Sequence, residues 1–222
     1  MSGRVMGEPY PLGRDLVYFE IRDCWIDFRG IADDYMREKG IDYFENSRRA
    51  TVSHRLYAAL NPLGFVDYAD TVWGLTACDG PRDTAFTILG RERTFRTYSA
   101  RGVSVDWSFD DGTIAPTAAA SSLPFAPGIC LQAIRALRTR YGSAVWREYG
   151  FVDAFNPTYR TAATPSGWFD PDYVGIDQGP IVLMIENYRN GRVWEVLKRN
   201  PYVITGLKKA GFAGGWLEHT AR

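Results

Sequence analysis

The stretch from Gly175 to Arg189 constrains this chain most. It opens on a turn carrying Asp177 and Gln178. Pro180 then leads into an unbroken apolar run, Ile181 to Ile185. Proline suits the first turn of a helix, where its missing N–H has no partner to lose. Asp177 stands just ahead, where a carboxylate can cap the free amides. A helix that is apolar all round belongs inside a fold. Glu186 ends the run and must reach a polar cavity or a partner, because an unpaired buried charge is costly. The expectation is an interior helix with Asp177 at its mouth.

The charge balance narrows the partners. The 222 residues carry 26 basic and 26 acidic side chains, so nothing suggests nucleic acid or an anionic membrane. The apolar runs fall far short of the ~20 residues that cross a bilayer. Met1 to Arg14 is a polar segment without the apolar core of a signal peptide. The cysteines, Cys24, Cys78 and Cys130, are odd in number and lack a CxxC pattern. A disulfide framework or zinc site is therefore not expected. His54 and His219 are too few to favour histidine catalysis.

Local signals point to helices broken by one long excursion. The pattern predicts helices over 31–39, 42–60, 127–141, 179–198 and 201–210, and a short one over 144–149. In 42–60, Ala50, His54, Tyr57 and Ala58 share a face, and Asn61-Pro62 stops the helix. In 127–141 the face is Ile129, Ala133, Ile134 and Leu137. Leu63-Gly64-Phe65, Tyr149-Gly150-Phe151 and Ala210-Gly211-Phe212 each read as a helix end followed by glycine. Residues 80–120, rich in Gly, Pro and Asp, read as loops with a small hairpin. Helical hairpins side by side, with chemistry on long loops, follow from this pattern.

The aromatic content matters because of its neighbours. Most of the 7 Trp, 13 Tyr and 12 Phe belong in cores. Many nevertheless sit beside Asp, Asn or Arg, a mixture that suits the apolar faces and polar rims of sugars. Six ordered blocks then converge: Trp25-Ile26-Asp27-Phe28-Arg29-Gly30, Tyr43 to Thr51, Trp73 to Pro81, Asp111 to Phe125, Tyr149 to Asn156, and Gly175 to Arg189. Through them the chain resembles the glucoamylase-like family of bacterial endo-β-1,2-glucanases and the glycosidase-type domain of cyclic β-1,2-glucan synthases. The resemblance implies an all-α fold, the (α/α)6 toroid, over residues 15–222. Family members carry a further helical region before the Trp25 block, so roughly half of the ring is expected here. A missing N-terminal half, or a second copy in a homodimer, would complete it. Residues from Asp83 to Tyr98 depart from the family pattern.

Glycoside hydrolysis needs two carboxyl groups, ~6.5–9.5 Å apart for inversion or ~5–5.5 Å for retention. The catalytic candidates are Asp79, in a Cys-Asp-Gly-Pro turn, Asp177 and Glu186. Each has an ordinary alternative: turn chemistry for Asp79, capping for Asp177, and an ion pair with Arg189 for Glu186. Trp25, Asp27, Arg29, Glu45, Trp73, Asp153 and Gln178 are the candidate sugar contacts. Arg29 could instead hold Asp27 in an ion pair, and Glu45 could pair with Arg48 or Arg49. Asp106, Asp110 and Asp111 do not match an EF-hand. Calcium at Asp170, Asp172 and Asp177 has little support, and neither metal nor organic cofactor is expected.

The implied activity is acid/base cleavage of a β-glucan, with β-1,2-glucan the leading candidate. One alternative is a transglycosylase domain processing a cyclic glucan. Another is a carbohydrate-binding or assembly module that lacks its catalytic half. Relatives are commonly periplasmic or secreted, and no export signal is visible here.

Overall fold

The structure is a computed structural model. It describes residues 22–103 and 108–219, with two short strands before them. The expected domain start at residue 15, most of the segment 1–14 and Asp106 lie outside the described residues. The early strands β1 (Arg4–Val5) and β2 (Glu8–Pro9) pair antiparallel. A helical turn follows at residues 22–25.

Two capped helices come next. α1 spans Asp34–Lys39, where Asp33 Oδ1 accepts the Met36 N–H at 2.9 Å and Gly40 ends the helix in the left-handed conformation. α2 spans Tyr43–Leu60, and Asp42 accepts the Glu45 N–H at 2.7 Å. Asn61 ends α2 at φ 45°, and its side chain exchanges hydrogen bonds with the Phe65 backbone. The buried face of α2 includes the expected Ala50, His54 and Ala58.

The 80–120 excursion is more ordered than loops and one small hairpin. β3 (Cys78–Asp79) pairs with β6 (Tyr98–Ser99), and β4 (Thr84–Ile88) with β5 (Arg91–Phe95). β7 (Gly102–Val103) pairs with β8 (Ser108–Phe109). Leu89 and Gly90 turn the β4–β5 hairpin with φ of 50° and 72°, the positive angles that a two-residue hairpin turn requires. Residues expected within this loop also form α3 (Pro116–Ser121), all six of them buried. Its Pro-Thr-Ala-Ala-Ala-Ser sequence has no apolar stripe to announce a helix. Small side chains instead let neighbouring elements approach it from every side.

α4 spans Pro127–Tyr141 as expected and buries Cys130, Ala133 and Leu137, with Ile129 and Ile134 packed alongside. The short helix expected over 144–149 is not there. A 3-10 turn, Gly142–Ala144, leads into a hairpin of β9 (Trp146–Arg147) and β10 (Gly150–Phe151). Gly150 serves that hairpin at φ 108° rather than ending a helix. β11 (Phe155–Asn156) pairs with β12 (Trp168–Phe169).

The helix expected over 179–198 starts earlier and breaks. α5 spans Gly175–Asn190 and α6 spans Arg192–Leu197. Gly191 between them is left-handed at φ 70°, and Asn187 Oδ1 accepts the Trp194 N–H across the break. Asp177 therefore lies within the first turn of α5, not ahead of it. Nor is α5 wholly interior. Asp177, Ile181, Met184 and Asn187 face the core, while Ile176 and Val182 are 55% and 65% exposed. α7 (Pro201–Lys209) is capped by Asn200 and ends at Gly211, with Phe212 N–H reaching back to the Leu207 carbonyl.

The main core gathers Trp73, Leu75, Ile114, Leu137 and Phe155 around α3. Helices share this core with loop and ribbon side chains such as Trp73, Leu75, Ile114 and Phe155. Six two-stranded ribbons among the described residues correct a strict all-α description. No described helix is long and apolar enough to cross a membrane.

Candidate active site

Three chain segments bring aspartates together at the N-terminal end of α5. The first is β3. Arg101, fully buried, forks onto Asp111 at 2.7 and 2.9 Å and donates to the carbonyls of Cys78 and Ser99. This holds β3 in place. Gly80 is required beside it, because a Cβ there would stand 2.1 Å from the Arg96 carbonyl oxygen. The second segment lies between β10 and β11. Asp153 accepts the Asp79 N–H at Oδ2, 2.7 Å away, and gives its own N–H to the Asp172 carbonyl. The third follows β12. Asp170 donates its N–H to Ala154 and accepts the Asp172 N–H at 2.9 Å.

One carboxylate oxygen from each of Asp79, Asp153 and Asp170 lies within 4.8 Å of the other two. Asp153 and Asp170 are buried, and Asp79 is half-buried. Burial raises the Asp79 carboxyl, helped by the Asp153 and Asp172 charges and opposed by Arg101. Burial also lifts Asp170 to about 6; the Asp172 N–H opposes this, and the Asp153 and Asp79 charges add to it. Beside the cluster is a pocket of about 120 Å³ lined by Cys78, Asp79, Tyr98, Asp153, Ile176 and Asp177. Burial pushes the Cys78 thiol far up, which removes it as a nucleophile.

The other expected residues scatter. Gln178 sits next to Asp177, but its Nε2 donates to the Phe151 carbonyl at 2.7 Å, anchoring α5 to the β10 segment. Glu186 is about two and a half turns further along α5. It pairs there with Arg189 and Asn190, as its ordinary alternative foresaw. Asp27 is buried in a fork from Arg29, 2.7 Å at both oxygens, with Lys198 at 2.7 Å. Burial alone would raise its carboxyl; Arg29 and Lys198 together hold it below the usual range. Arg29 also lies over the Trp194 ring. Glu45 pairs with both Arg48 and Arg49. Trp73 is 1% exposed and belongs to the core, whereas Trp25 is 47% exposed.

Tyr98 and Asp170 were not among the expected site residues. Tyr98 lies in the segment that departs from the family pattern. Asp170 entered only through the acid–aromatic pair Phe169-Asp170 and a weakly supported calcium grouping with Asp172 and Asp177.

The first turn of α5 and two ribbon segments line an acidic pocket, and comparison with known proteins gives its class. The chain belongs to the family described as "Putative glucoamylase", whose model matches residues 14–201. It is 32% identical over 182 residues to an exo β-1,2-glucooligosaccharide sophorohydrolase of Parabacteroides distasonis, covering 82% of this chain and 22% of that protein. Its fold matches an endo-β-1,2-glucanase from Chitinophaga pinensis, in complex with sophorotriose and glucose. The TM-score is 0.78 at 29% identity, over 97% of this chain and 47% of that one. A Bacteroides uniformis protein with the same glucoamylase description matches at TM-score 0.77 and 35% identity, again over 97% and 47%. The chain thus spans less than half the length of each of these relatives.

Proposed function

We propose that this chain forms part of a glycoside hydrolase that cleaves β-1,2-glucan with paired carboxylates. The observation that carries this reading is the acid-lined pocket of Asp79, Asp153 and Asp177 at the N-terminal end of α5, in a chain of this family. The names of the relatives support the substrate. Asp79 and Asp177 line the pocket from different segments, as an acid and a base flanking a glycosidic bond must. One protonates the leaving oxygen and the other activates water. Tyr98 offers a ring to the sugar face.

The test is product release from linear β-1,2-glucan, with α-1,4-glucan as control. Short glucosides from the first alone support the proposal. Longer or cyclic products would favour the transglycosylase reading, which the hydrolase names of the relatives make the weaker one. Glucan binding without turnover would favour the assembly-module reading.

A second reading concerns the ring. The chain covers 47% of the length of the solved endo-β-1,2-glucanase, and Ile176 and Val182 stand exposed along α5. Further helices, from the same chain or a second copy, would complete the toroid. Light scattering and glucan turnover, measured with and without such a segment, test it.

A further inference from the structure

Among the described residues, the aspartate cluster has no cation within ion-pair distance. Asp153 and Asp170 are 4% and 3% exposed. Among the described residues, none of Asp79, Asp153 and Asp170 makes an ion pair. Arg101 engages Asp111 instead, and Arg147 reaches only the backbone carbonyl of Asp170. Asp170 Oδ1 accepts the Asp172 N–H, whereas its Oδ2 is buried with no partner. Buried carboxylates are ordinarily paired or bound to metal, because an isolated buried charge is strongly disfavoured.

We propose that Asp79, Asp153 and Asp170 form a binding site for a divalent, oxygen-seeking cation of calcium's size. Calcium binds oxygens at about 2.3–2.6 Å, so its ligand atoms stand up to about 5 Å apart. Magnesium, at about 2.0–2.1 Å, draws them closer and demands an octahedron. The three oxygens all lie within 4.8 Å of one another, inside the reach of calcium's ligand shell. Such an ion ties β3 and the segment before β11, both of which line the pocket, to the end of β12. This inference does not depend on the glucan reading; with the ion bound, Asp79 would hold the cation and carry no proton in that chemistry.

Titration of the chelator-treated chain tests it. Calcium is added in a calorimeter, and terbium is followed by luminescence excited through Trp168, two residues before Asp170. One ion per chain and a rise in the thermal midpoint with calcium are expected. Asp170→Asn and Asp153→Asn should each weaken binding by at least about tenfold, the loss that even an outer-shell partner's removal brings. Asp34→Asn, on an exposed helix face, should leave binding unchanged. If a buried variant fails to fold by circular dichroism, Asp79→Asn at the half-exposed position carries the same comparison. No binding by the unsubstituted chain up to about 10 mM calcium, beyond the weakest common sites, would overturn the proposal. So would binding that survives these substitutions.

Discussion

The backbone N–H of Asp79 donates to Oδ2 of Asp153 at 2.7 Å, across 74 positions of sequence. This bond locks β3 to the segment before β11 and fixes where the Asp79 side chain emerges. Asp153→Ala would leave that N–H without its acceptor, and a donor stranded in a buried site costs about 1–3 kcal/mol. Asp153→Asn retains a carbonyl acceptor and should lose less. Urea unfolding of both variants checks the order; equal losses would show that the hydrogen bond is not what Asp153 contributes.

Neutralising a carboxylate that lines the pocket should stop chemistry more than it disturbs folding. Asp79→Asn and Asp177→Asn are each expected to reduce β-1,2-glucan cleavage by about 10²–10⁴-fold, the range that positioned proton transfer contributes. Glu186→Gln should cost far less, because Glu186 is paired with Arg189 and Asn190 well along α5. Initial rates on linear glucan decide. A larger loss from Glu186→Gln would move the reacting site along the helix.

The Arg101–Asp111 pair, both side chains at 0% exposure, braces β3 from behind. Breaking a buried pair from one side strands the other charge and costs about 3–5 kcal/mol. Asp111→Ala should therefore lower the thermal midpoint sharply. A midpoint near that of the unsubstituted chain would mean that Arg101 finds another partner.

Asp110 gives a pH signature of its own. Burial raises its carboxyl to about 6, with Asp111 adding to the rise, while the Gly112 N–H and the Tyr68 and Tyr57 hydroxyls oppose it. Arg93 is the cation facing it. The folded chain thus holds this proton more tightly than the unfolded chain does. Asp110 supports folding below about pH 4, and that support fades as pH rises through about 6. Asp110→Asn, which cannot ionise, should gain about 2–3 kcal/mol relative to the unsubstituted chain between those limits. Denaturation curves at pH 4 and pH 8 measure the change, and a constant difference would refute it.

His54 has the opposite sign. Burial lowers it to about 4, although the backbone groups of Leu75 and Val103 favour its charged form. The folded chain keeps it neutral, so its support is present above about pH 6.5 and lost as pH falls through about 4. His54→Gln should flatten the acid limb of the stability profile. An unchanged limb would assign acid unfolding to other groups.

Several elements were legible because their signals are local. Pro127 and Gly142 bracket α4, and Asn200 and Gly211 bracket α7, through φ preferences and caps that need no distant partner. The hairpin at 146–151 reads locally as a helix because Ala144, Arg147 and Glu148 precede a glycine, and only strand pairing overrides them. α3 was missed because Ala and Ser carry no periodic apolar signal. The break at Gly191 was missed because the polar pattern continues across it.

The sequence alone placed the ends of α2, α4 and α7, and it carried the ordered blocks that mark the family, since both are written in short runs of residues. Tertiary structure decided which acids meet. Asp79, Asp153 and Asp170 come from three ribbon segments whose mutual placement depends on the buried Arg101, on Gly80 and on the packing of α3 and α5. Every carboxylate has the same local chemistry. Its neighbours across the fold decide whether it becomes a surface ion pair, as with Glu45, or one of three clustered carboxyls without an ion pair among the described residues.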